Sequence, residues 1–535
     1  MPTAYRNAKR LAVSAAALLL SAAGLLPVVS MAANSFYLDG HISLAAYKAL
    51  WAHSGQQLTP MAHSLLLSFS VAVLATGAGV PLGIALGKTD LPFPRVFAAL
   101  LTVPLLTPSY VLAVAWTAVL GSSGWVGSSL APETAEYLSS ALFGLTGCAG
   151  VLFTAFTPIV MLLTIAYLGA VNPRLEDAGR LVGRWPAVLR YITLPIIAPA
   201  ILFATLLVFL LTLGEVGVPS YLRYTVYPAE ILTQFAAFYD FRAATAAAMP
   251  LVFVTLLIVA VERWLLRRQF AETRVALTAR QTRVELKRWR WPLAGCVLVW
   301  SFVTVLLPLS VLVAQSFSYP SYAEAFARAT DSLLRSMTLA IAGATALTAV
   351  GFLCGYLIYD RTLTAWRGVD ALALFLFALP GTVIGIGLIG LWNTPVTSFL
   401  YGSPVIVIVG YLAQYAVLPT RMTWAILERI PATVEYAAQV CGASWTMTVR
   451  HILAPLASRG LIAAWICSYV FCMRDLGISM VVYPPGSDTL PVRIFTLMAN
   501  GAPTLIAALC VILIVVTILP LGLVALWQRR KERTV

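Results

Sequence analysis

The chain has 535 residues, of which 60% are hydrophobic and only 10% charged, with a mean hydropathy of +0.88 and a net charge of +14. That much apolar side chain exceeds what a soluble core can bury, so the composition excludes an ordinary soluble protein and indicates a membrane protein. The positive balance is read as a topology signal and not as a nucleic-acid footprint, because the basic residues fall in step with the apolar runs.

Crossing a bilayer takes roughly 20 apolar residues per helix. By that measure there are twelve candidate spans, at 11–29, 64–87, 96–120, 142–170, 196–218, 244–265, 292–315, 333–358, 369–392, 403–427, 456–480 and 502–527. The first lies in "MPTAYRNAKRLAVSAAALLLSAAGLLPVVSMAANS", whose basic head and small-residue end also resemble a cleavable signal peptide. Its apolar run is about 19 residues, long for such a segment, and an even span count suits the charge pattern, so the span is expected to be retained. With the N-terminus cytoplasmic, all but seven of the 35 Lys and Arg fall in cytoplasmic segments. Lys48, Arg223, Arg242, Arg328 and Arg493 are external, and Arg335 and Arg474 lie at the outer membrane edge. This asymmetry puts both termini inside.

Between the sixth and seventh spans, "ERWLLRRQFAETRVALTARQTRVELKRWRW" reads as a basic cytoplasmic linker that divides the chain into two six-span halves. The expected organisation is an N-terminal span with an external loop at 1–60 and a first transmembrane domain at 61–265. The linker at 266–290, a seventh span with its external loop at 291–330 and a second transmembrane domain at 331–535 follow.

The halves look alike. Ser64, Ser68, Ala72 and Gly83 match Ser332, Ser336, Ala340 and Gly351 at a constant offset of 268. Such small residues let helices pack closely in lipid. Two cytoplasmic loops match more tellingly, "EDAGRLVGRWPAVLRYITLP" at 176–195 and "EYAAQVCGASWTMTVRHILAP" at 435–455. Glu176, Ala178 and Gly183 pair with Glu435, Ala437 and Gly442 at offset 259, and Pro195 with Pro455 at offset 260. Each loop reads as a short helix, a turn in which Gly supplies positive φ, and a second short helix entering the next span at Pro.

These loops resemble the EAA motif of ABC importer permeases, in which E-A-A is followed after three residues by G and later by L-P. Asp177-Ala178-Gly179 with Gly183, and Tyr436-Ala437-Ala438 with Gly442, occupy the E-A-A and G positions. Asp177 and Tyr436 depart from the first position, each with an acid one place earlier (Glu176 and Glu435), and Ala454 stands where Leu usually precedes Pro455. The resemblance runs from about residue 60 to the C-terminus and fits fused permeases that carry both halves on one chain. "TPSYVLAVAWTAVLG" at 107–121 and "RDLGISMVVYPPGSDTLPVRIFTLM" at 474–498 look most like iron(III)-type permeases, with thiamine, polyamine, phosphonate and sulfate permeases as near relatives. It implies an all-α polytopic protein of the bacterial inner membrane that passes solute, ferric iron by this likeness, by alternating access. It also implies two copies of an ABC ATPase subunit docked on the loops, and an external solute-binding protein. The implied coupling residues are Glu176, Asp177, Ala178, Gly183, Pro195, Glu435, Ala437, Ala438, Gly442 and Pro455.

Other signals are weighed beside this. "GIALGKT" at 83–89 lacks the first glycine and the strand of a phosphate-binding loop, so Lys88 is read as a positive-inside anchor. ATP hydrolysis is expected in partner subunits, and no catalytic constellation, cofactor motif or metal-ligand spacing of Cys and His is present. Proline breaks in "TPSYVLA" and "LPGTVIGIG" suggest either pathway lining or packing kinks. Offset 260 also pairs Glu215 with Asp475, each 20 residues after its loop proline. At 1.5 Å per residue that is roughly 30 Å, the hydrocarbon thickness, so both acids sit at the external ends of equivalent helices. Arg474 matches Gly214 and is not repeated. Glu215, Arg474 and Asp475 are therefore candidates for an outer gate, with a local structural role for Arg474 as the alternative. An ion-gradient secondary transporter is the competing class, disfavoured by the repeated loops and the lack of mid-membrane acids.

Overall fold

A backbone immersed in hydrocarbon must satisfy its polar groups internally, and this chain does so with helices. The computed structural model describes residues 3–38, 41–44, 47–48, 54–236, 241–266, 283–317, 319–361 and 366–533. Among these, strand structure is limited to one antiparallel pair, Tyr37–Leu38 with His41–Ile42, and an isolated bridge, Thr89 to Val284. Most of the basic linker expected at 266–290 lies outside the described residues.

The first half comprises α1 (Thr3–Leu20), α2 (Leu26–Ser35), α3 (Ser54–Lys88), α4 (Pro94–Leu106), α5 (Ser109–Leu120), α6 (Leu145–Leu168), α7 (Pro173–Val182), α8 (Leu194–Leu213) and α9 (Phe241–Leu266). The second comprises α10 (Arg290–Ser301), α11 (Leu307–Ser316), α12 (Tyr319–Asp360), α13 (Trp366–Ala378), α14 (Gly381–Trp392), α15 (Val405–Tyr415), α16 (Val417–Leu427), α17 (Ala432–Val440), α18 (Ala454–Met473) and α19 (Pro503–Arg533).

Among the described residues, nine helical segments are long and apolar enough to cross a membrane, and three bent pairs raise the number to as many as twelve. The spans expected at 96–120, 369–392 and 403–427 are not single straight helices. They are α4 with α5, α13 with α14 and α15 with α16, bent by 102°, 109° and 52°. The cause is proline. Pro108 and Pro380 lack an N–H and drive the preceding residue out of the helical region, and Thr107 accordingly has ψ 134. Pro419, one turn past the third bend, leaves the Tyr415 carbonyl without its helical donor.

Proline also explains four π-helical turns. Ser21–Leu25, Leu189–Thr193, Phe302–Leu306 and Val449–Leu453 each end two residues before a proline: Pro27, Pro195, Pro308 and Pro455. A ring that cannot donate to the i−4 carbonyl loosens the ladder into a wider turn. Taken in pairs these turns expose the duplication: 189–193 and 449–453 are 260 apart, and 21–25 and 302–306 are 281 apart. At the second offset Leu26-Pro27 matches Leu307-Pro308, and Ser35-Phe36 matches Ser316-Phe317. Ser35 bonds the Tyr47 hydroxyl at 2.6 Å and Ser316 that of Tyr322 at 2.9 Å, so the likeness between first and seventh spans extends to their contacts.

Each of these leading spans packs on the opposite half. Helix α1 lies along α12 and α2 along α14, while α10 lies against α4 and α11 against α5. Two of the repeated serines, at non-matching positions, serve as acceptors for the segments that follow the core helices: Ser64 Oγ from the Tyr227 N–H at 2.8 Å, and Ser336 Oγ from the Leu490 N–H at 2.7 Å.

Candidate functional site

The two matched loops are built alike. Helix α7 starts at Pro173, with the Asn172 side chain accepting from the Arg174 N–H at 3.0 Å. After α17, the Ser444 hydroxyl similarly accepts from the Met447 N–H at 3.3 Å to start the next short helix, Trp445–Thr448. The first-half equivalent of that helix, Trp185–Val188, lies 260 residues earlier. Both short helices run through a π turn into the spans that carry Pro195 and Pro455.

The matched acids point inward. Glu176 is fully buried, forms an ion pair with Lys88, and accepts from the Thr193 hydroxyl at 2.8 Å. Lys88, read from the sequence as a positive-inside anchor, is only 2% exposed, because its ammonium compensates a carboxylate that would otherwise be buried alone. Glu435 is buried too, and accepts from the Tyr356 hydroxyl at 2.6 Å and the Tyr5 hydroxyl at 2.9 Å. Tyr356 follows Lys88 by 268 residues, the offset that relates α3 to α12. The repeat thus puts an ammonium and a phenol in the same place.

Asp177, Ala178, Tyr436 and Ala437 face outward, while Ala438 is buried. Beyond them the helices end in naked apolar side chains. Leu181 is 89% exposed and Val440, 259 residues later, 88% exposed, with Val182 and Cys441 beside them also exposed. Sequence reasoning overlooked these residues; the available signal was an apolar pair repeated on the otherwise polar end of two short helices. The turns differ from expectation in one respect. Gly442 has φ +79, the left-handed conformation that favours glycine, but Gly183 has φ −144, extended backbone open to any residue.

The other predicted residues meet between the halves. Helices α8 and α18 end at Leu213 and Met473, and the next residues, Gly214-Glu215 and Arg474-Asp475, enter a cavity of about 130 Å³ beside the Pro108 and Pro380 breaks. Glu215 Oε1 accepts from the Gly217 N–H at 3.1 Å. Asp475 Oδ1 accepts from the Tyr415 hydroxyl at 2.7 Å, and its Oδ2 from the Ser479 N–H at 2.9 Å and hydroxyl at 2.7 Å. Both acids directly follow helix ends, and their side chains turn into the cavity.

Arg474 donates to the Leu105 carbonyl, on the last turn of α4, and stacks over Phe471 at 5.3 Å. The Pro108 break strips that turn of its continuing donors, so the unrepeated arginine supplies one from the opposite half. At the equivalent place, Gly214 admits Pro380: a Cβ there would stand 3.1 Å from the proline Cα. Two lining groups, the Tyr110 hydroxyl and Gln414 Oε1, are buried without a hydrogen-bond partner. With two carboxylates and one guanidinium, the cavity carries one excess negative charge when all three are ionised. Among the described residues there is no group of three or more His, Cys, Asp or Glu able to hold a metal ion.

A duplicated all-α membrane protein whose halves exchange their leading spans, enclose a polar cavity and present two matched loops is a solute permease in its architecture. Comparison with known proteins agrees. The chain is 24% identical over 489 residues to the ferric transport system permease protein FbpB of Actinobacillus pleuropneumoniae, covering 86% of this chain and 70% of that one. It is 27% identical over 236 residues to the spermidine/putrescine transport system permease protein PotC of Haemophilus influenzae, covering 42% of this chain and 90% of the relative. PotC of Escherichia coli matches at 25% over 202 residues, 35% of this chain and 72% of the relative. No family model matches the chain. The chain is thus a homologue of ABC importer permeases, multi-pass and inner-membrane, with both transmembrane halves on one polypeptide.

Proposed function

We propose that this chain is the fused permease of a binding-protein-dependent ABC importer, organised as two transmembrane domains at 61–265 and 331–535, with the leading segments 1–60 and 291–330 and the linker 266–290 outside them. The observation that carries the proposal is the pair of loops, each with a buried glutamate and an exposed apolar tip at offset 259. Exposed apolar residues at matched positions mark partner surfaces. Two copies of an ABC ATPase subunit dock there, one per loop, and both termini are cytoplasmic, as the basic residues require. Asp177, Ala178, Tyr436 and Ala437 face the ATPase together with Leu181 and Val440. Glu176 and Glu435 act from behind, fixing each helix to its transmembrane core, while Gly442 shapes the second turn and Pro195 and Pro455 begin the spans that carry the motion.

Closure of the ATPase pair pushes both loops, the halves rock, and solute from an external binding protein passes between them. A cavity of about 130 Å³ holds roughly four waters at ~30 Å³ each, so passage requires the halves to part. Glu215 and Asp475 form the gate around it, with Arg474 bridging the halves. The cargo is ferric iron. The FbpB relative supports iron, and a cavity with two carboxylates and one guanidinium suits a cation when all three are ionised; relatives named for spermidine/putrescine (PotC) and for 2-aminoethylphosphonate (PhnV) make those solutes the alternatives.

The test is reconstitution in liposomes with the cognate ATPase and binding protein, measuring ATP-dependent uptake of radiolabelled iron against spermidine competition. Uptake that proceeds without any ATPase, driven by an ion gradient, would sink the importer reading. Uptake of spermidine in preference to iron would sink the cargo alone.

A further inference from the structure

The two loops carry the same buried acid but hold it by different chemistry. Glu176 meets Lys88, from its own half. Glu435 meets Tyr356, at the equivalent position, and also Tyr5, 430 residues away on α1. Tyr5 is 3% exposed, and α1 is fastened nearby: Lys9, one turn on, pairs with Asp360 at the end of α12 and lies 5.3 Å from the Tyr356 ring centroid. The residue 281 after Tyr5 is Leu286, which has no hydroxyl; its backbone N–H goes to Asp90 Oδ1 at 2.9 Å. The leading span therefore lends a side-chain donor to the second loop and none at the matching place in the first.

A carboxylate buried without an ammonium needs more than one good donor, and the two phenol hydroxyls, at 2.6 and 2.9 Å, supply them. We infer that Tyr5 is a positioning residue for the second loop: with Tyr356 it fixes Glu435 and through it α17, whereas, among the described residues, Glu176 and α7 are held by Lys88 and the Thr193 hydroxyl, without any donor from the leading spans. The N-terminal helix, which precedes the importer-like region of the sequence, is thereby part of one coupling loop and not the other. Only the consequence for transport rests on the importer reading; the position of each loop can be measured directly.

Natural reporters stand at equivalent places. Cys441 is exposed directly after α17, and the residue 259 earlier is Val182, exposed at the end of α7. In the full chain with the other cysteines replaced by alanine, a nitroxide on Cys441, or on Val182→Cys in a Cys441→Ser background, reports loop mobility. Tyr5→Phe should raise the mobile-to-immobile ratio at 441 roughly tenfold, the loss of one hydrogen bond to a charged group, and leave 182 unchanged. Lys88→Met should raise the ratio at 182, roughly a hundredfold, and leave 441 unchanged. Tyr356→Lys, giving the second loop the first loop's ammonium, should restore the immobile spectrum in Tyr5→Phe. An unchanged spectrum at 441 in Tyr5→Phe, or equal loosening at both sites, would overturn the assignment, and failure of the lysine rescue would overturn the equivalence it rests on. Failure of the importer reading would leave all these spectra as they are.

Discussion

Replacing Lys88 by methionine is the most direct perturbation of the first loop. The substitution keeps the length of the side chain but strands Glu176, which is 0% exposed, with the Thr193 hydroxyl at 2.8 Å as its remaining donor. Removing one partner of a buried ion pair costs about 3–5 kcal/mol. The surviving hydroxyl bond puts this case at the low end, about 3 kcal/mol, or roughly a hundredfold rise in the open population of the loop. Hydrogen exchange read by mass spectrometry over 173–193 measures that opening locally. The amides there should exchange about a hundredfold faster in Lys88→Met, while those of 432–453 keep their rate. Glu176→Gln alone should loosen the loop too, and the double variant should be much nearer the parent, with a coupling energy of about 2 kcal/mol or more. Additive effects, within about 0.5 kcal/mol, would refute the pairing and the buried-anchor account of this loop.

Leu181→Asp with Val440→Asp alters only exposed side chains, so thermal stability should hold within about 0.5 kcal/mol while co-purification of the ATPase and ATP-driven uptake are lost; retained co-purification would contradict the docking surface. Gly442→Ala meets no neighbouring atom within 4 Å, yet its positive φ should cost about 1–2 kcal/mol, seen as faster exchange in the second loop. Gly183→Ala, in extended backbone, should exchange at the parent rate. Arg474→Met leaves the Leu105 carbonyl without its cross-half donor, and should cost about 1–3 kcal/mol in thermal unfolding. In the same variant uptake of an anionic solute cannot rise, because the cavity becomes more negative; a rise would contradict the charge argument.

The apolar run lengths, the positive-inside asymmetry and the duplicated loops were legible in the sequence, because each depends on chemistry local to about 20 residues or on direct repetition. The same is true of the alignment of Glu215 with Asp475 and of Glu176 with Glu435. Proline at 108 and 380 was visible too, but not that each break would turn a span through about a right angle, since the angle depends on what packs into the gap. The match of the first span to the seventh was also present, in Leu26-Pro27 and Leu307-Pro308, but two short matches among apolar residues do not stand out until the π turns and serine contacts coincide.

Only the tertiary structure decided what those residues meet. Lys88 is 88 residues from Glu176, Tyr5 is 430 from Glu435, and Arg474 is 369 from Leu105. Nothing in the local pattern chooses these partners. A charge in a low-dielectric interior is tolerated only where a complementary donor arrives from elsewhere in the chain. The sequence by itself determined which helices form and which segments repeat. The folded arrangement, by bringing distant donors to buried acids, decided which repeated residues hold a loop from inside and which face a partner.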